Sequence, residues 1–199
     1  MSALLLKDWY MTKKYCRYYI FVVFVFIALS FVADNAIFYT YPCMMAGFLP
    51  YTLYAYDERE EFTSYCIAMP VSRRQYVNEK YVFGLICSAV AMLLTIAAAV
   101  IKQKTDSEFV MLMCIALVSA LILLSVMLPL GFKFGAEKGR IMFAAAIAIL
   151  IAASYVLLND ESFMALEAVN FGAAALSVCL VMLILSWLLS QRIYEKKEF

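Results

Sequence analysis

Charged and uncharged positions fall along this chain in long blocks. No Asp, Glu, Lys or Arg occurs in 18–33, 35–56, 81–101, 109–132, 141–159 or 168–191, and short charged connectors separate the runs. Each run approaches the roughly 20 residues that a helix needs to cross about 30 Å of hydrocarbon. A bilayer offers the backbone no outside hydrogen-bond partner, so runs of this length satisfy themselves as helices. The pattern predicts an all-α membrane protein with six transmembrane helices, at about 18–33, 36–56, 81–101, 109–131, 141–158 and 168–189. Composition agrees: 66% hydrophobic residues and a mean hydropathy of +0.87 lie far outside the range of soluble domains. Residues 1–199 read as a single transmembrane domain, with no room expected for a separate catalytic one.

Charge adds an orientation. The net charge of +1 provides no basic field for nucleic acid. Lys7, Lys13, Lys14 and Arg17 precede the first run; Arg59, Arg73, Arg74 and Lys80 lie between the second and third. Lys133, Lys138 and Arg140 follow the fourth run, and Arg192, Lys196 and Lys197 follow the sixth. Only Lys102 and Lys104 fall on the opposite side, so the positive-inside rule places both termini in the cytoplasm. The first run is short, but a head of 17 residues containing Asp8 and Trp9 fits a retained span better than a cleaved signal. Cys16, Cys43, Cys66, Cys87, Cys114 and Cys179 show no paired spacing and read as small packing residues.

Absences narrow the chemistry. The chain has no histidine, which removes Ser-His and Cys-His bases, HExxH zinc sites and histidine proton relays. GxxxxGK[ST] is missing too, so no P-loop binds ATP here. Gly131, Gly135 and Gly139 recur at spacing four, which suits close helix approach or a flexible span end. The runs offer only hydroxyls and amides: Ser88, Thr95, Ser119, Ser125, Ser154, Asn170, Ser177 and Ser186. Such groups mostly hydrogen-bond within or between helices. Coupling to an ion gradient needs ionisable groups inside the spans, so the pattern disfavours it.

The 57–80 connector is the richest segment. Asp57-Glu58-Arg59-Glu60 fits an Asp N-cap with acids in the first helical turn, followed by Glu61. Phe62, Tyr65, Cys66 and Met69 then form an apolar stripe, and Pro70 closes the predicted helix. Ser72-Arg73-Arg74-Gln75 is a capping box that starts a second helix running through Lys80 into the third run. Arg73 and Arg74 have no local partner and oppose the helix dipole, which an acidic partner, anionic lipid or simple positive-inside pressure would explain. Segment 2–15 carries Leu4, Met11 and Tyr15 on one face and Lys7, Lys13, Lys14 and Arg17 opposite, with Leu6 and Tyr10 breaking the segregation; an interfacial helix or a plain basic cytoplasmic head fits this pattern.

Three stretches resemble the permease subunits of type-2 ABC exporters. They are Leu49-Pro-Tyr-Thr-Leu-Tyr-Ala-Tyr-Asp57-Glu58, Met69-Pro-Val-Ser-Arg-Arg-Gln-Tyr-Val-Asn-Glu-Lys-Tyr81 and Pro129-Leu-Gly-Phe-Lys-Phe-Gly-Ala-Glu-Lys-Gly-Arg140. The small form most resembles bacterial peptide exporters, including those that expel phenol-soluble modulins. The resemblance implies a plasma-membrane subunit without catalytic residues or bound cofactor, paired with a second permease copy, identical or paralogous. It implies a separate cytoplasmic ATPase, holding ATP and magnesium, and a coupling helix between spans two and three. Asp57, Glu58, Glu60, Glu61, Phe62, Tyr65, Arg73 and Arg74 would then be the ATPase-coupling residues. A non-transporting accessory or immunity protein that binds a toxic peptide stays open. A membrane-embedded enzyme is a weaker alternative, because the runs lack paired acids.

Overall fold

The computed structural model describes residues 2–32, 35–62, 65, 72–102, 107–157 and 168–196, and among these it forms seven helices and no strand. Helix α1 (Ser2–Tyr15) breaks at Cys16 and turns through 73° into α2 (Arg17–Val32). Helix α3 (Ala36–Arg59) starts where the Asn35 side chain accepts from the Ile37 N–H at 3.1 Å, and it carries Pro42 and Pro50 inside. Helix α4 (Arg73–Ile101) opens on the predicted capping box: Ser72 Oγ accepts from Gln75 N, and Gln75 Oε1 accepts from Ser72 N. Helices α5 (Ser107–Phe134) and α6 (Ala136–Leu157) are separated by Gly135 alone, and α7 (Ala168–Glu195) follows.

Helices α2 to α7 overlie the six uncharged runs, and α1 overlies the predicted interfacial segment. Three helical stretches are long and apolar enough to cross a membrane: Arg73–Ile101, Phe109–Phe134 and Leu176–Glu195. The bent α1–α2 pair makes a fourth if counted as one span. The sequence pattern predicted six crossings, and length with apolarity supports this smaller number among the described residues. Helix α2 alone has 16 residues, about 24 Å of rise. Helix α3 is diluted by Tyr39, Tyr41, Tyr51, Tyr54 and Tyr56.

Helix α3 lies centrally, against α2, α4 and α5, while α7 packs on α5 and α4. Small residues make the middle of the bundle tight: Cys43, Ala46, Ala91, Ala116 and Ala120 pack together. A Cβ on Gly47 would stand 2.6 Å from the Ala120 carbonyl oxygen, so α3 and α5 reach this separation only with glycine there. Large apolar side chains such as Phe21, Leu93, Val181 and Leu189 point outward. Water would penalise such a surface, and hydrocarbon would not. Within the helices Ser88, Thr95, Ser119 and Ser125 donate back to carbonyls of their own turns, as packing hydroxyls do. Cys16, Cys43 and Cys179 are buried free thiols, in line with packing roles.

Candidate functional site

The charged connectors gather at one end of the bundle, here called the foot. There α1, the end of α3, the first turns of α4, the α5–α6 junction and the end of α7 meet. At its centre is Lys80, fully buried, whose ammonium lies 2.6 Å from Asp8 Oδ2 and 2.8 Å from Asp57 Oδ2. Lys7 donates to both Asp57 oxygens at 2.7 and 2.8 Å and lies 3.2 Å from Asp8 Oδ1. Tyr76 donates its hydroxyl to Asp57 Oδ2 at 2.9 Å. Three separate helices are thereby tied through two aspartates: Asp8 from α1, Asp57 from α3 and Lys80 from α4.

Glu79, also fully buried, brings a third carboxyl group to the two ammoniums, with Oε2 3.7 Å from the Lys80 nitrogen. Burial pushes its pKa up to about 8, so at neutral pH it is mostly protonated and the two aspartates balance the two lysines. Among the described residues neither Glu79 oxygen receives a hydrogen bond, and Asp8 Oδ1 receives none either. Burial alone would raise the Asp8 pKa, but the Lys80 and Lys7 charges outweigh it. They hold Asp8 below the usual carboxylate range.

Uncharged contacts complete the foot. Glu58 reaches across to cap α6, accepting from the Ala136 N–H at 2.5 Å, where the helix dipole favours an anion. Gly135 permits the abrupt start of α6, because its φ of +86° is a region that side chains disfavour. Tyr51 donates to the Ala136 carbonyl at 2.5 Å, and Tyr54 donates to the Gly131 carbonyl at 3.2 Å. The glycines spaced by four thus line the passage of α3 tyrosines over this junction. On the other flank Asn78 Oδ1 accepts from Trp187 and Gln191, both at 2.7 Å. Tyr81 shares protons with Ser186 and Ser190, at 2.6 and 2.8 Å. The last two turns of α7 are therefore bolted along the first turns of α4.

A family profile described as "ABC-2 family transporter protein" matches residues 3–195. The chain belongs to that family. No curated protein and no solved structure matches it. As an ABC-2 permease it is a multi-pass membrane component of a transporter, and such components work with an ABC ATPase and are generally not themselves catalytic.

Several residues expected to couple this permease to an ATPase have other surroundings than the connector pattern predicted. Asp57 does not begin a helix; it lies in the last turn of α3, 1% exposed and bound to two lysines. Glu58 is in the same turn, and Glu60 is the C-cap of α3, not the third residue of a new helix. The Asp-x-x-Glu spacing misled because the α3 backbone runs on through the acids. Glu61, with φ +54°, turns the chain after that end. Phe62 is helical and partly buried, and the Lys7 ammonium stands 3.7 Å above its ring centroid. Tyr65 is helical and 64% exposed; Cys66, Met69 and Pro70 of the expected stripe and stop lie outside the described residues. Arg73 and Arg74, expected to await a partner, have one: Arg73 donates to the Glu195 carbonyl at 2.8 Å, and Arg74 pairs with the Glu195 carboxylate. Lys7 was expected on the outer face of α1 and instead turns inward.

Proposed function

We propose that this ABC-2 permease is the membrane subunit of an ATP-driven exporter that carries an amphipathic or hydrophobic substrate, a peptide in the first instance. The observation that carries this reading is the family profile, which spans nearly the whole chain, 3–195. Spans dotted with hydroxyls and free of charge suit an apolar cargo better than an ion. In this reading α2 to α7 are six crossings of a bacterial plasma membrane with both termini cytoplasmic, as the distribution of Lys and Arg favours. Two copies, identical or paralogous, enclose the path, and ATP with magnesium is bound and hydrolysed by a separate chain.

The foot is then the surface that meets the ATPase. Glu60, Glu61 and Tyr65 are exposed there, and Arg74 is exposed beside them in its pair with Glu195. Asp57 and Phe62 support that surface from behind, through Lys7 and Lys80. A push on residues 60–65 would move α1, α3 and α4 together, because one ion cluster holds all three.

The test is recovery of an ABC ATPase with the tagged chain, before and after Glu60→Lys with Glu61→Lys and, separately, Tyr65→Ala. Losing an interface anchor typically costs about 1–4 kcal/mol, so recovery should fall about tenfold. Substrate efflux should fall with it, while membrane insertion stays intact. Undiminished ATPase recovery in both variants would remove the foot from the interface. Efflux that persists without any ATPase would remove the exporter reading.

A further inference from the structure

A hollow of about 880 Å³ opens beside the foot, between the start of α2, the end of α3 and the α5–α6 junction. It lies at the level where charged connectors give way to uncharged runs. Three cations line it: Arg59 from the end of α3, and Lys138 and Arg140 from the start of α6. Among the described residues none of the three forms an ion pair. Two acids, Glu58 and Glu137, also line the hollow, and Glu58 is held to one side of it by the Ala136 N–H. Three cations thus face two anions, and the lining keeps a net positive charge.

Its walls are amphipathic in a definite direction. Tyr19 and Tyr56 line it, the residue type that settles at the boundary between headgroups and acyl chains. One turn on from Lys138, towards the uncharged run of α6, Ile141 and Met142 are 71% and 40% exposed. An occupant that is anionic at one end and oily at the other would satisfy both surroundings. The size suits a headgroup, since small-molecule sites usually enclose about 300–1,000 Å³.

We propose that this hollow is a binding site for the phosphate headgroup of an anionic phospholipid. Arg59, Lys138 and Arg140 supply the positive charge, and the acyl chains lie along the exposed apolar residues Ile141 and Met142 of α6. Basic pockets between transmembrane helices hold such headgroups by the same combination of charge and depth. A free phosphate would gain from the cations but not from the apolar rim. The site does not depend on the exporter reading, because it needs only a membrane around the chain.

Native mass spectrometry of the full chain in detergent micelles, titrated with phosphatidylglycerol, phosphatidylcholine or inorganic phosphate, tests this. Phosphatidylglycerol is expected to bind about tenfold more tightly than phosphatidylcholine. Arg59→Gln with Lys138→Gln and Arg140→Gln should erase that preference, and Lys138→Gln alone should reduce it. Lys13→Gln, an exposed cation of α1 outside the hollow, should leave it unchanged. Equal binding of the two lipids by the unaltered chain overturns the proposal and needs no variant to fold. A preference that survives the triple substitution overturns the assignment to this hollow. Inorganic phosphate that competes as well as phosphatidylglycerol overturns the lipid as occupant.

Discussion

Helix α4 makes two ionic contacts within its first eight residues, and they differ in almost everything but charge. Arg74 pairs with Glu195 at the surface, with side chains 67% and 38% exposed. Lys80, just under two turns further on, pairs with Asp8 and Asp57 where water does not reach. At the surface, solvent screens the attraction and salt weakens it further, so little stability depends on the pair. In the interior each charge has lost its hydration, and removing one partner strands the other. The consequence of an ion pair therefore follows from burial, and burial is a tertiary property.

The largest effect should come from Lys80→Met. It leaves Asp8 and Asp57 buried with half their partners gone, at a cost of about 3–5 kcal/mol in chemical unfolding of the micelle-bound chain. A loss under about 1 kcal/mol would erase the difference between the two contacts. The next sharpens the cause: adding Asp8→Asn and Asp57→Asn to Lys80→Met should recover more than half of that loss. A neutral set has no stranded charge to hold. A triple variant as unstable as the single one would shift the cost to packing. Glu79→Gln should be smaller still, a change under about 1 kcal/mol at neutral pH, because burial already keeps Glu79 mostly protonated and the amide is its neutral isostere. Marked destabilisation would mean that the Glu79 charge is used. Arg74→Gln is the smallest, an unfolding midpoint indistinguishable from the parent at about 1 M salt, where the Debye length is about 3 Å. A loss that persists at high salt would put Arg74 in the same class as Lys80.

The helices were legible because lipid-length apolar runs and the Ser72–Gln75 capping box are local patterns. The foot was legible only in part. Asp57 to Glu60 has the spacing of a helix start, and only the continuation of α3 through Arg59 makes it a helix end. Asp8 and Lys80 are separated by 72 positions, and Arg74 and Glu195 by 121, so no spacing rule links them. A weak signal existed: Asp8 is the sole acid in an otherwise basic head, and Lys80 stands at the very edge of an apolar run. An isolated charge that borders an uncharged run merits a search for its counterpart. The fullness of the foot also explains why connector residues read as free surface proved to be engaged.

The ion cluster also imposes an order on synthesis. Asp8 is made first, and its partner Lys80 emerges 72 residues later. Lys7 can engage Asp57 once α3 is complete, but Asp8 stays half-neutralised until the foot of α4 has left the ribosome. A nascent chain that ends before residue 80 therefore displays an acid at the membrane surface with no full counter-charge. Only when the first turns of α4 have been made can the cluster that joins α1, α3 and α4 close.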